Sequence, residues 1–498
     1  MDSKGVPASG DMAGLAPGMT AVTPERSPHG LSPNAIGLLQ STVVAIASSA
    51  PGQATAVSLA AIIVASAYGG GVAIIITTLP MLAIAFGYYR LNMWEQDCGA
   101  SYVWVGRAIS PYLGFMVGWI MLAGYVLGTV SDVLPLGPAV LAIFGANPNS
   151  QWGSVITVIV LGGGVTVLSV LGIQLSARFQ MTIAGIEYIV LLVFSAIGIW
   201  AVFVAHRAGT VHPSLAWLSP NGVKSGGGLV AGMLIAVYLF TGWDTAVYLN
   251  EETERKEVNP GRAAIISVVV LGLFYTLLVV SLQGAASGKQ MNAHSASALV
   301  FAAHQLVGSP WDKFMAVAVA LSVIGSTQAF LIGTARIAYS MGSDHVIPRA
   351  FGKISDRFRT PGFGTIIFGL LTIVASCLYV FLSSVATAFN TVVTSVGVLF
   401  ALFYAFTGFA TSWYYRKLAS KNLRNLIVIG ALPSGGAVVL LWVAVKSVAQ
   451  FSGPALWSLA GIGAAGVIMM LVAALVWRAP FFRLPRSTYE SGQAGEVQ

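Results

Sequence analysis

Ser48-Ser49-Ala50-Pro51-Gly52-Gln53 and Phe240-Thr241-Gly242-Trp243-Asp244 each interrupt a long apolar segment near its centre. In lipid an unpaired backbone N–H or C=O has no water to bond. A broken helix therefore survives there only inside protein or beside a cavity. Two such breaks at corresponding places in two halves of a chain point to a carrier whose site lies where they meet. The breaks fall about 190 residues apart, and roughly four uninterrupted segments follow each. That is a five-plus-five arrangement with two further helices at the end. An odd number of spans per repeat inverts the second copy.

The surrounding composition agrees. The 498 residues are 56% hydrophobic and only 8% charged, with a mean hydropathy of +0.81. Soluble domains carry about 25% charged residues. About twenty apolar residues cross a bilayer core as a helix, and about twelve such segments are present. The expected fold class is therefore an all-α integral membrane protein of about 12 transmembrane helices. Its parts are a disordered tail over 1–34, a first repeat over 35–203, a second over 204–413 with its preceding loop, two additional helices over 414–477, and a tail over 478–498. No cleavable signal pattern opens the chain. Gly99 to Arg107 is too short to cross and is expected to lie along the inner surface.

The net charge of +8 is a topology signal. With the N-terminal tail placed inside, only Arg207, Lys224, Lys289, Lys313 and Lys446 of the 25 Lys and Arg fall in outer loops. Arg336 lies near a helix end, and the others fall inside. This positive-inside bias puts both termini in the cytoplasm of a plasma (inner) membrane and argues against a nucleic-acid partner. Cys98 and Cys377 read as free thiols, neither a disulfide nor a metal pair. No cofactor or metal is expected.

Three acidic residues, Asp132, Glu187 and Asp244, fall in or near these segments, with no mid-membrane Lys or Arg to neutralise them. Intramembrane carboxylates usually face an interior cavity and mark ion or proton pathways. Glu187 sits near mid-depth and Asp244 at the second break, where it also reads as an N-cap for the half-helix that follows. Asp132, beside Pro135, reads as a wetted residue at an outer helix end. N–H groups after Gly52 can receive an anionic group. Carbonyls freed before either break can receive an ammonium. The substrate walls are assigned to Ser49, Ala50, Gly52 and Gln53 on one side, and to Tyr238, Phe240, Thr241, Gly242 and Trp243 on the other. Glu251, Glu252, Glu254 and Glu257, with Arg255, Lys256 and Arg262, form a mixed-charge loop. It reads mostly as a solvated face, with Glu–Arg pairing as a latch for an inner gate.

Three stretches in order resemble the amino acid–polyamine–organocation (APC) superfamily. The first is Gly99-Ala100-Ser101-Tyr102 followed by Gly114-Phe115 and Gly118-Trp119. The second is the Phe240–Asp244 break with Glu251-Glu252-Thr253 and Asn259-Pro260-Gly261-Arg262-Ala263. The third runs from Thr334-Ala335-Arg336 through Met341–Pro348 to Thr360-Pro361. The resemblance implies a LeuT-type fold and secondary transport of amino acids or related small amines, driven by a coupled proton or cation. By the same resemblance Tyr238 takes an aromatic gating position, and Ser326 and Thr327 are hydroxyls of a cation site. Glu187 and Asp244 join them as coupling residues. Two departures stand out. The first break reads Ala50-Pro51-Gly52 where Gly-x-Gly is common in the family, and Pro51 removes a donor. Nine residues after Ser176-Ala177-Arg178, where many members carry lysine, stands Glu187. No zinc-protease, serine-hydrolase or phosphate-loop motif supports an intramembrane enzyme. A non-transporting nutrient receptor on the same scaffold is the other alternative at this stage.

Overall fold

The computed structural model describes residues 30–489 apart from 67, 148–149, 215–216, 218, 220–222, 224–225, 295–296, 383–384, 450 and 452. Residues 1–29 and 490–498, most of the two expected tails, lie outside the described residues.

The first span is two helices, α1 (Leu38–Ser48) and α2 (Pro51–Ser66). The break follows from local chemistry. Proline disfavours helical geometry in the residue before it, and Ala50 swings to φ +47°. Pro51 then starts α2 at the position where a missing N–H costs nothing. Next come α3 (Gly70–Trp94), α4 (Ser101–Ala108), α5 (Pro111–Val133) and α6 (Leu136–Ile143). The first half closes with α7 (Gln151–Val170) and α8 (Ile173–Ile199).

The sixth span is α9 (Gly226–Leu239), a turn through Gly242, and the four-residue α10 (Thr245–Tyr248). After α11 (Asn259–Leu282) two short helices, α12 (Gly288–Ala293) and α13 (Ala298–Val307), fill what reads as a plain loop in the sequence. The remaining elements are α14 (Asp312–Ser343), α15 (Gly362–Leu382), α16 (Val385–Tyr414), α17 (Arg416–Ala419), α18 (Leu423–Asn425), α19 (Leu432–Val448) and α20 (Pro454–Leu471). A helical turn continues α18 directly into α19.

Eleven of the described helical stretches are long and apolar enough to cross a membrane. A shorter apolar helix, Gly227–Leu239, precedes the second break, and with α10 it is read as the sixth span. Large apolar side chains such as Leu273, Ile189, Trp457 and Val476 are exposed around the bundle. On a soluble protein so much apolar surface would be an aggregation liability; lipid makes it the favourable face.

The first, second, sixth and seventh spans pack on one another, α3 against α11 and α9, α2 against α9, and α1 against α11 and α10. They also pack on the rest of the bundle, α1 meeting α8 and α14, and α3 meeting α16 and α19. In turn α14 packs on α5, α8 and α15. The α4 segment is a short helix, as its length requires, and the protein covers it. Tyr102 and Trp104 are fully buried, and α4 packs under α5 with Tyr102 stacked 4.5 Å from Phe481 of the C-terminal segment. Ser487 N–H donates to Arg107 O at 2.8 Å, and Leu31, ahead of α1, packs beside Cys98 and Tyr339.

Gly242 has φ +100°. A Cβ there would stand 2.6 Å from Ser48 Oγ and 2.8 Å from the Ser48 carbonyl carbon. Gly242→Ala thus combines a strained backbone, about 1–3 kcal/mol, with a collision the α1 backbone cannot relieve. Thermal unfolding should show a drop of at least about 2 kcal/mol. Gly163→Ala in α7, where a Cβ meets nothing within 4 Å, should show no such drop. Equal unfolding temperatures for the two variants would refute the close approach of the breaks.

Candidate functional site

The two breaks touch. Ser48 at the end of α1 lies against Gly242, and its hydroxyl is 2.9 Å from that of Thr245, the first residue of α10. Around this crossing the expected residues fall into two groups, each built on one carboxyl.

The first group surrounds the start of α2. Gly52 N–H donates to Glu187 Oε1 at 2.9 Å and stands 3.2 Å from Ser322 Oγ; Gln53 N–H donates to the same hydroxyl at 3.1 Å. Ala54 N–H donates to Ala50 O at 2.7 Å, and Pro51 has no N–H. Every donor at this helix start therefore has an acceptor within the chain. The sequence leaves these N–H groups open to an anionic group of the substrate; the structure fills them with Glu187 and Ser322. A Cβ on Gly52 would stand 3.1 Å from Glu187 Oε1 and 3.3 Å from Ser322 Cβ, crowding both. Ser49 O, freed by the break, accepts from Tyr275 Oη at 2.6 Å.

Asp244 anchors the second group and is fully buried. It occupies the N-cap position of α10 but makes no side-chain cap bond, so the capping expectation is not met. Its carboxyl instead accepts from Tyr125 Oη at 2.9 Å, Tyr404 Oη at 2.7 Å and Tyr248 Oη. Three hydroxyl donors offset the cost of burying a carboxyl that has no basic partner among its hydrogen bonds. Tyr125 also approaches Thr245 Oγ1 at 3.1 Å, so a chain of hydroxyls runs from Asp244 to Ser48. Trp243 stacks on Tyr404 at 5.1 Å and meets Tyr88 edge-on at 4.9 Å; its indole Nε1 is buried without a partner. Thr241 Oγ1 donates back to Tyr238 O at 2.8 Å, and the Phe240 ring meets Tyr275 at 5.9 Å.

Asp132 is not a wetted end residue. Pro135 does not end the span, which continues through α6 to Leu141, and Asp132 is 3% exposed with Oδ2 lacking any hydrogen-bond partner. The Ser326 hydroxyl reaches its carboxyl, and Tyr238 stands close by, 3.5 Å from Ser131 Oγ. Thr327 Oγ1 and both Gln53 amide atoms are buried without a partner in good geometry. Tyr125, Tyr248, Tyr404 and Ser322 escaped the sequence reading. Tyr248 lies four residues after Asp244 and Ser322 four before Ser326, a helical spacing that places each pair on one face. Nothing local marks Tyr404.

A buried ion pair lies toward the loops that carry most of the basic residues. Arg336 of α14 forms a two-pronged pair with Glu252, Nε to Oε2 at 2.6 Å and Nη2 to Oε1 at 3.0 Å, both side chains essentially unexposed. The acidic loop is thus divided. Glu251 and Glu252 are buried, while Glu254, Arg255 and Glu257 face outward. Beside the pair, Asp97, Cys98 and Glu251 bring their ligand-type atoms within 4.8 Å of one another. Each is already engaged: Cys98 N–H donates to Glu251 at 3.1 Å, Asp97 accepts from Gly99 N–H and Ser340, and the thiol faces Arg336 O at 3.5 Å. Burial, reinforced by the Glu251 and Asp97 carboxylates, pushes the Cys98 thiol well above its usual range.

Long apolar spans, two of them broken and meeting at buried carboxyls, define a multi-pass membrane protein of the transporter class. The family description "Amino acid permease" matches residues 36–486, and the chain belongs to that family. It is 23% identical over 391 residues to the low-affinity putrescine importer of Escherichia coli strain K12, covering 77% of this chain and 82% of that one. An arginine/ornithine antiporter of Latilactobacillus sakei is 23% identical over 369 residues, covering 72% and 75%. Among solved structures the manganese transporter of Eremococcus coleocola, in complex with an aromatic bis-isothiourea substituted compound, superposes with a TM-score of 0.54 at 14% identity. It covers 90% of this chain and 95% of that one. That likeness establishes the LeuT-type fold.

Proposed function

We propose that this transporter carries a small amine-bearing metabolite across the plasma membrane by alternating access, driven by a proton or cation bound at Glu187 and Asp244. The substrate sits at the crossing of the breaks, between Ser49–Gln53 and Tyr238–Trp243, with Ser326 and Thr327 on the α14 wall. Both termini face the cytoplasm, so the Arg336–Glu252 pair closes the inner side. The observation that carries this reading is two buried carboxyls, one at each break, neither hydrogen-bonded to a basic side chain. Intramembrane carboxyls so placed are neutralised by what they transport or by the ion that drives it. The first, second, sixth and seventh spans, which pack on one another, are the helices that rock in this reading. The names of the relatives, a putrescine importer and an arginine/ornithine antiporter, support amines as the cargo.

Thermal unfolding of the purified chain with a panel of amino acids and amines at two pH values tests the cargo, because a ligand of the native state raises stability by mass action. A hit that disappears in Trp243→Ala supports the site, and flux of that compound into proteoliposomes separates a carrier from a receptor. Glu187→Gln should lower the transport rate by roughly tenfold, about 1.4 kcal/mol, and flatten its dependence on external pH. Unaltered rate and profile would remove Glu187 from the coupling.

A further inference from the structure

Asp132 and Glu187 reach α14 at two hydroxyls one helical turn apart. Glu187 shares Gly52 with Ser322, and Asp132 meets Ser326. Four residues of helix rise about 6 Å. The two carboxyls come from α8 and α5, which both pack on α14. Asp132 Oδ2 is buried and unpartnered. A buried polar group left without a partner costs about 1–3 kcal/mol, and such groups in a native structure point to something that completes them.

The start of α2 supplies the second half of the argument. Its N–H groups are consumed by Glu187, Ser322 and Ala50 O. An α-carboxylate arriving there finds no free donor and meets a side-chain carboxyl already in place. An ammonium meets an acceptor.

We propose that Glu187 and Asp132 form a paired-carboxylate subsite for an α,ω-diamine without a carboxylate, one ammonium at Glu187 and the other at Asp132. This rests on the amine-carrier reading above and narrows its substrate. While the diamine is bound, its ammonium takes the place of the coupled ion at Glu187, and Asp244 holds the ion. A four-carbon diamine, extended, separates its nitrogens by about 6 Å, the same as one turn of α14. Asp132 is then the residue that distinguishes a diamine from a monoamine. Glu187, holding the helix start, accepts either.

The test uses the purified full chain and compares binding of 1,4-diaminobutane, n-butylamine and ornithine. Wild type should bind the diamine at least about tenfold more tightly than butylamine or ornithine. Asp132→Asn keeps the side-chain volume and should bring the diamine-to-butylamine ratio close to one, with butylamine affinity held within about twofold. A ratio unchanged in Asp132→Asn overturns the role of Asp132. Ornithine binding as tightly as the diamine overturns the diamine subsite and leaves the amine carrier standing; no binding of any amine overturns both. Should Asp132→Asn not fold, the wild-type series from three to seven carbons still decides. An optimum at four or five carbons is expected, and a flat series overturns the pairing.

Discussion

Arg336→Met should lower the stability of the chain by roughly 3–5 kcal/mol, because it leaves Glu252 buried and uncompensated. The geometry explains so large an effect. Both side chains are essentially removed from solvent, and the guanidinium meets the carboxylate with two parallel hydrogen bonds, the strongest arrangement such a pair adopts. Removing both partners is a different experiment. Arg336→Met combined with Glu252→Leu replaces two desolvated charges with apolar volume and should recover most of the loss. Thermal unfolding in detergent reads both. A single variant that melts with wild type would mean that Glu252 finds another partner or water, and the pair would lose its place as the inner closure. The double variant should be stable yet transport poorly, since it keeps the packing and loses the reversible contact between α14 and the segment after α10.

Asp244→Asn should reduce transport by roughly 10- to 100-fold. An asparagine side chain offers one acceptor oxygen where three tyrosine hydroxyls donate to the carboxyl, and each hydrogen bond to a charged group is worth about 1.5–3 kcal/mol. Its amide would also present donors to hydroxyls that are themselves donating. Tyr404→Phe and Tyr125→Phe each remove one donor and should produce smaller losses. Uptake into proteoliposomes at two external pH values measures both rate and coupling. A normal rate with normal pH response in Asp244→Asn would make the tyrosine cluster a packing device, and coupling would fall to Glu187 alone.

The breaks were legible because their cause is local. Pro51 forces the residue before it out of the helix, and Gly242 is the residue type that enters positive φ without strain. The spans were legible because lipid demands long apolar runs, which composition cannot disguise. Asp132 misled because a nearby proline usually ends a helix. Here the chain resumes helix at Leu136, so a residue that looks terminal lies deep in the protein. Asp244 misled in a related way. A capping position is a statement about backbone geometry, whereas the tyrosines that bind it come from α5, α10 and α16. Glu187 was visible as an oddity of type, but its bond to Gly52 joins residues 135 apart in the chain. No periodicity carries that information.

Glu252 grips Arg336 with its side chain, while its carbonyl accepts the N–H groups of Ala35 and Ile36 at 2.8 and 3.1 Å; Glu254 N–H returns a bond to Ile36 O at 2.9 Å. The strand-like stretch before α1 is therefore riveted to the segment after α10. These two pieces form a single lever, and the Arg336 pair is its clasp. Tilting the inner half of the first span must carry residues 250–254 with it and pull the clasp open, so hinge and lock act in series. A force applied at either broken helix reaches the same lock.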